Sequence, residues 1–419
     1  MPPIRFIHAA DLHLDAAFSG LSRDIPADFA ERLRTATFTA FRRLLDLCER
    51  ESPDFLLLAG DVYNQEDASV SAQLALRDGF RRLESLSIPV FLVHGNHDPL
   101  ASRLRSVRWP GNVTVFGELP DAVPVFRKGE GTPLAIIHGA SHASGRETRN
   151  LAALFRRTEA CGLHVGLLHA TPGDADGVAR YAPFSQGDLK ASGMDYWALG
   201  HIHDRREVCR EPLAAYPGCT QGLHINEPGE KGCLLVTAEA RPDGGYAVRT
   251  SFRPLGPAVW KTLDMDLDEL ENRLRTGLDR AAAEVWSGCE MLLVRLRLQG
   301  RTELDGLLRK GTTCAELADR LREDGSGVPR IWIKDIDVAT RPCVERGALL
   351  EREDLLGEVF RLSEAARTAS GLQALREGPL APLFAHARAG KALEPLTDEE
   401  LARLLDDAES LCLDLLEND

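Results

Sequence analysis

Five short segments, each closing an apolar run of strand character, distribute Asp, His and Asn along the first half of the chain, and their joint order constrains the fold more than any other feature. Ile7-His-Ala-Ala-Asp11-Leu-His13 sets a carboxylate and an imidazole two positions apart, where both can point to one side. Leu58-Ala-Gly60-Asp61 ends a second run in a glycine that admits close backbone approach and an aspartate able to bridge two ions. Val93-His-Gly95-Asn96-His97-Asp98 adds an amide oxygen, an imidazole and a carboxylate, while Leu167-Leu-His169 and Leu199-Gly-His201-Ile-His203 supply three more imidazoles. A lone D-x-H or G-D is more often a turn than a ligand. Five such segments in order are a site, because an open α/β sheet builds its site outside the carboxyl ends of its strands.

The surrounding pattern supplies those strands. Short apolar runs at Ile4–Ala9, Phe55–Leu58, Val90–Val93, Val113–Phe116, Leu134–Ile137, Val165–Leu168 and Tyr196–Leu199 alternate with loops and amphipathic stretches. A hairpin follows at Cys233–Thr237 and Tyr246–Phe252, turning through Pro242-Asp-Gly-Gly. Between the first two runs, apolar spacing predicts one long helix over Asp28–Glu49. Pro254-Leu-Gly-Pro257 marks a boundary. Beyond it, helices near Leu267–Ala283 and Thr313–Arg322 and strands at Met291–Leu298 and Ile331–Val338 predict a small α+β unit. The last part is helix-rich and ends in an amphipathic helix over Thr397–Leu415, whose start has capping-box form. The expected division is 1–253, 258–340 and 345–419.

Phosphate-ester hydrolysis needs a hydroxide nucleophile at neutral pH and neutralised phosphoryl oxygens. Two divalent ions about 3.5–4 Å apart meet both needs by acidifying a shared water and clamping the phosphate. Mixed oxygen and imidazole ligands suit Mn²⁺, Fe²⁺ or Zn²⁺ better than Mg²⁺ or Ca²⁺; Mn²⁺ is favoured.

Asp11-Leu-His13, Gly60-Asp61, Gly95-Asn96-His97-Asp98, His169 and Gly200-His201-Ile-His203 resemble the calcineurin-like metallophosphoesterase superfamily. The opening Phe6-Ile-His-Ala-Ala-Asp-Leu-His-Leu-Asp15 and the closing helical region resemble more narrowly its DNA-repair exonuclease branch of SbcD-like and YhaO-like nuclease subunits. The resemblance implies an α+β fold: a β-sandwich flanked by helices, a small α+β capping domain and a helical C-terminal tail. It implies that Asp11, His13, Asp61 and His203 hold one ion and Asp61, Asn96, His169 and His201 the other. His97 then protonates the leaving oxygen or stabilises the transition state, and Asp98 orients it. It also implies a DNA substrate, a coiled-coil, SMC-like ATPase partner and a homodimer. One departure stands out: the chain reads Asp61-Val-Tyr63-Asn64, where break-repair nucleases often carry a histidine close to Asn64 that helps handle the DNA phosphate.

Composition narrows the alternatives. A net charge of −14 argues against a protein that coats nucleic acid by electrostatics alone. From Glu345 onward 17 acidic residues face 8 basic ones, so the acidity gathers away from the motifs. Nine scattered cysteines without C-x-x-C spacing fit neither a disulfide framework nor a thiolate zinc site. With no basic-then-apolar leader and no long uncharged apolar run, the expected location is cytoplasmic, with no membrane partner. His8 and His94 read as packed or supporting residues, and His138, His142, His164 and His224 stay open, with the loop carrying His224 a candidate rim of the site. Arg103, Arg105 and Arg108, and Arg205, Arg206 and Arg210, either approach a phosphate backbone or form a solvated face. Apolar positions in Leu349–Leu362 and Leu401–Leu415 either dock a partner or pack on their own chain. The rival functions are a small-molecule phosphodiesterase or phosphomonoesterase, and a metal-bound scaffold regulating an ATPase.

Overall fold

A computed structural model describes residues 2–21, 25–64, 70–101, 107–173, 180–242, 244–266, 270–323, 329–343, 346–385 and 396–416. The first twelve strands among them are β1 (Ile4–Ala9), β2 (Phe55–Ala59), β3 (Val90–Val93), β4 (Val113–Val115), β5 (Asp121–Val125), β6 (Ala135–Ala140), β7 (Leu163–His169), β8 (Tyr196–Gly200), β9 (Arg206–Arg210), β10 (Leu213–Tyr216), β11 (Gly232–Ala240) and β12 (Tyr246–Pro254). They form two six-stranded sheets, ordered β12-β11-β1-β2-β3-β4 and β5-β6-β7-β8-β10-β9. Strands β1 to β4 run parallel, as do β6, β7, β8 and β10, whereas β5, β9, β11 and β12 add antiparallel margins.

Both sheets bury both faces, which is why their central strands read as unbroken apolar runs rather than alternating ones. Phe6, Phe55, Leu57, Phe91 and Val93 meet Ile137, Val165, Leu167, Tyr196 and Ala198 in the layer between the sheets. From the other face of the first sheet, Ile7, Leu56, Leu58 and Leu92 pack on Phe41, Leu44, Leu76 and Phe80 of the helices Ala36–Glu51 and Val70–Ser85. The outer face of the second sheet presents Leu168, Trp197 and Leu199 to Phe155 and Leu189. This is the expected α+β architecture, a sandwich of β-sheets flanked by helices.

The helix expected over Asp28–Glu49 is two helices, Ala27–Arg34 and Ala36–Glu51. Thr35 interrupts them with φ −97° and ψ 4°, its hydroxyl donating back to the carbonyls of Glu31 and Arg32; a side chain that satisfies backbone acceptors in this way competes with the helical ladder.

The chain forms two compact units, Met1–Leu298 with Gly311–Val338, and Gln299–Lys310 with Ala339–Asp419. Within the first, Phe29, Leu33, Ala258, Trp260, Met291, Leu293 and Trp332 share a core. A three-stranded sheet follows the sandwich in the chain, with β13 (Ala258–Asp266), β14 (Met291–Thr302) and β15 (Arg330–Pro342) in that spatial order. In the second unit the last helix, Asp398–Leu416, begins with the expected capping box: Thr397 N–H donates to Glu400, and Glu400 N–H to Thr397 Oγ1. Its apolar positions divide. Leu413 packs with Leu349, Leu356 and Phe360, while Leu404, Leu411 and Leu415, with Leu355 and Leu362, are exposed. No described helix is long and apolar enough to cross a membrane.

Candidate metal centre

All seven donors singled out in the sequence lie at the carboxyl ends of β1, β2, β3, β7 and β8, His169 as the last residue of β7 and the other six in the loops that follow, so the site draws on both sheets at one edge of the sandwich. Asp11, His13 and His203 bring one ligand atom each into a cluster, and Asp61, His169 and His201 form a second. The clusters adjoin through Asp61, whose Oδ2 lies 3.3 Å from His169 Nε2 and 4.0 Å from His13 Nε2. Asn96 Oδ1 sits 3.1 Å from both His169 Nε2 and His201 Nδ1.

The backbone bends sharply to achieve this. Asp11, His13, Asp61 and His201 all have positive φ, at 51°, 40°, 49° and 106°. A non-glycine residue held there costs on the order of 1–3 kcal/mol and persists only where surrounding bonds over-determine it. Those bonds are present: Asp11 N–H donates to Gly60 O, His13 N–H to Asp61 O, and His201 N–H to the Asp11 carboxylate. Two glycines make room. A Cβ at Gly60, where φ is 88°, would meet His169 Nδ1 at 2.5 Å, and one at Gly95 would meet Asp61 Oδ1 at 2.2 Å.

Asp98 directly follows His97 and is buried. Its carboxylate accepts from the backbone N–H groups of Gly95, Asp61 and Val62, and so ties the loop after β3 to the loop after β2. Those bonds make it a loop anchor, and His94 Nδ1 lies 3.2 Å from its Oδ2. His97 is exposed at the edge of the site, its N–H donating to Asp61 Oδ1 at 2.9 Å and its ring edge-on to His13 at 5.1 Å.

The electrostatics call for positive charge. Burial alone would raise the Asp61 carboxyl, but His169, His13 and His97 outweigh it and hold Asp61 well below the usual carboxylate range. Burial likewise disfavours a charged His169, yet Asp61 and Asp11 lift it to about 9. Asp11 is raised, chiefly by burial, and burial lowers His13. Imidazole nitrogens, an amide oxygen and carboxylates converging in a buried pocket fit a pair of divalent cations. The supporting bonds fit too. His169 Nδ1 donates to Ala59 O at 2.9 Å, so Nε2 is the ring nitrogen that faces Asp61, and His203 Nδ1 lies 2.5 Å from Glu227 Oε1. Histidine ligands characteristically donate their second ring N–H in this manner.

Sequence reasoning did not find Glu227, Tyr181 or Lys231. Glu227 comes from the loop that was a candidate rim through His224; Tyr181 packs edge-on to His201, and Lys231 holds His203 O and Asp204. No local signal marks any of them. His8 is a packed residue, bonded to Tyr196 and Leu199 O, and His142 donates to His169 O. His138 and His164 pair with each other, away from the donors. Arg205, Arg206, Arg108 and Arg210 are exposed, the first two lying over Phe252 and Tyr216, while Arg103 and Arg105 lie outside the described residues.

Two sheets delivering Asp, Asn and His from strand ends to a two-lobed cluster define a dinuclear phosphoesterase architecture. The chain belongs to the calcineurin-like metallophosphoesterases. The calcineurin-like phosphoesterase family matches residues 4–205, and the middle domain of metallophosphoesterase YhaO matches residues 262–341. A Bacillus subtilis (strain 168) protein described as an uncharacterized metallophosphoesterase, YhaO, is 35% identical over 90% of this chain and 91% of its own. A DNA double-strand break repair protein Mre11 from Aeropyrum pernix is 28% identical over 68% of this chain and 69% of its own. One from Methanopyrus kandleri is 23% identical over 77% and 79%.

Proposed function

We propose that the chain is a Mn²⁺-dependent DNA nuclease, an exonuclease or endonuclease, acting in the cytoplasm in DNA repair together with a coiled-coil, SMC-like ATPase. The observation that carries this reading is the convergence of seven donors into two adjoining clusters joined by Asp61. In it, Asp11, His13, Asp61 and His203 hold one ion, and Asp61, Asn96, His169 and His201 the other. When bound, the ion pair supplies an activated water and neutralises the phosphoryl oxygens. His97, exposed beside His13, passes a proton to the leaving oxygen, and the Asp61 bond to its N–H fixes its loop. Asp98 serves by anchoring that loop. DNA as substrate is supported by the Mre11 relatives, whose names place those proteins in double-strand break repair. The exposed guanidiniums of Arg205 and Arg206, each over an aromatic ring, offer phosphate contacts next to His203.

In the same reading, 1–253 is the catalytic domain, 258–340 a cap and 345–419 the docking region, with a homodimer as the working state. The exposed Leu355, Leu362, Leu404, Leu411 and Leu415 support docking, as apolar side chains left open to a partner on two helices of this unit. The test is digestion of end-labelled linear duplex and single-stranded DNA with Mn²⁺, beside an Asp61→Ala control. Metal-dependent shortening that the control lacks is the expected result. No cleavage of any DNA form by the ion-loaded protein would overturn the nuclease reading, and comparing a chromogenic monoester with a diester would then define the substrate class.

A further inference from the structure

The two clusters hold their imidazoles by different means. In one, His169 Nδ1 donates to a main-chain carbonyl, that of Ala59. In the other, both imidazoles lean on side chains: His13 Nδ1 lies 2.6 Å from Asn64 Oδ1, and His203 Nδ1 lies 2.5 Å from Glu227 Oε1. An ionised carboxylate only accepts, as does an amide oxygen, so each ring nitrogen facing one carries the proton. That leaves His13 Nε2 and His203 Nε2 facing each other at 3.1 Å, with His13 Nε2 4.0 Å from Asp61 Oδ2. At that separation the two nitrogens share either a proton or a cation. Both acceptors are themselves held. Glu227 Oε2 accepts from Leu223 N–H at 2.7 Å, and Asn64 follows Tyr63, which is bridged to Leu14 just beyond His13.

We propose that Asn64 and Glu227 are positioning residues that hold His13 and His203 with protonated Nδ1 atoms, so that both Nε2 lone pairs are presented to one divalent cation. This rests on the ligand reading above and goes beyond it, because it names which ion position depends on removable side chains. It also gives position 64 a role. The asparagine that stands where a phosphate-handling histidine was expected turns inward to a ligand. Cys219, whose Sγ shares a cluster with His203 and Glu227, is not part of this cation site. An ion there would occupy the His203 Nδ1 that Glu227 holds as N–H.

The test uses the full chain, with Mn²⁺ alone as the calorimetric probe and ¹⁵N spectra of the histidine rings in metal-free protein. Wild type should bind two ions and show protonated Nδ1 on both rings. Asn64→Ala and Glu227→Ala should each weaken one ion by roughly 10–100-fold and spare the other. Asn64→Asp and Glu227→Gln, which keep an acceptor oxygen, should restore most of that affinity, and Asn64→Ala should let His13 adopt the Nε2–H form. Equal weakening of both ions, unchanged affinity in both alanine variants, or an unprotonated Nδ1 in protein that binds two ions would overturn the positioning role alone. A third equivalent giving thiolate-to-metal absorption with Co²⁺ would overturn it as well, by placing an ion at Cys219. Failure of wild type to bind Mn²⁺ would sink the ligand reading and the cation half of this proposal together, whereas the ¹⁵N spectra test the bonds to Asn64 and Glu227 either way.

Discussion

The metal-centre edge of the sandwich and the C-terminal helical unit both concentrate charge, and they spend it differently. At the edge, Asp11, Asp61 and His169 are almost wholly removed from water, and their bonds are to one another and to the backbone. In the C-terminal unit, Glu358–Arg361 and Arg352–Asp354 are solvated pairs between near neighbours in sequence. Glu409 is an exception, buried and bonded to both Arg346 and Arg367. Charge in low dielectric fixes geometry because every unmet bond is expensive, whereas charge in water is screened and replaceable. The first region is therefore built to hold particular atoms in place, the second to stay folded and soluble.

Five perturbations break or sharpen that contrast. Asp61→Ala removes the shared carboxylate and should cut turnover by about 1000-fold or more, equivalent to about 4 kcal/mol, with bound ion falling below two per chain by metal analysis. His97→Ala should lower turnover by about 100-fold or more while ion content stays at the wild-type value. A parallel loss of ions would mean that His97 is a ligand and the edge is organised otherwise.

Acid should act on the sandwich before it acts on the helical unit. Burial holds the folded His8 down to about 3, against 6.5 for the free ring. The unfolded chain therefore binds a proton that the folded chain refuses. His8 leaves stability untouched above the unfolded value, and stability falls as pH drops from there toward the folded one. Between pH 6.5 and 5 this amounts to about 2 kcal/mol, and burial adds the same sign at His138, which is lowered to about 4. Thermal melts of wild type and His8→Gln across that window should diverge; parallel curves would refute the assignment. Glu409→Ala should destabilise the C-terminal unit by about 1 kcal/mol, read by hydrogen exchange, with turnover unaltered. Glu358→Ala, which breaks a solvated pair, should cost about 0.3 kcal/mol or less.

The central strands were legible because burial on both faces leaves a continuous apolar run, and β1 and β3 fall where such runs predict them. Strands β9 and β10 were not, since Arg206-Glu-Val-Cys-Arg210 is charged at three of five positions and its pairing to β10 is decided by tertiary neighbours. Strand β5 hides behind Pro124, tolerable only at a sheet margin. The insertion of β1 between β2 and β11 leaves no local trace. In the site, the donors were readable because each ends its strand or lies within four residues of its end. Their supports were not: Asn64 and Glu227 matter through what they touch, and Glu227 reaches His203 from 24 positions away. The bonds of Asp98 to three backbone N–H groups were equally illegible, since only its adjacency to His97 shows in the sequence.

The donors come from both sheets, and the contacts of Asp11 with His201 and of His13 with His203 each close a span of 190 positions. A ribosome-bound chain cannot begin to assemble this centre until the loop after β8 has emerged and the second sheet has docked on the first. Ion capture is thus a late event in biogenesis, and a chain truncated before His201 would leave β1 without β11 and β8 without β10, two unpaired strand edges that make it a ready client for chaperones and proteases.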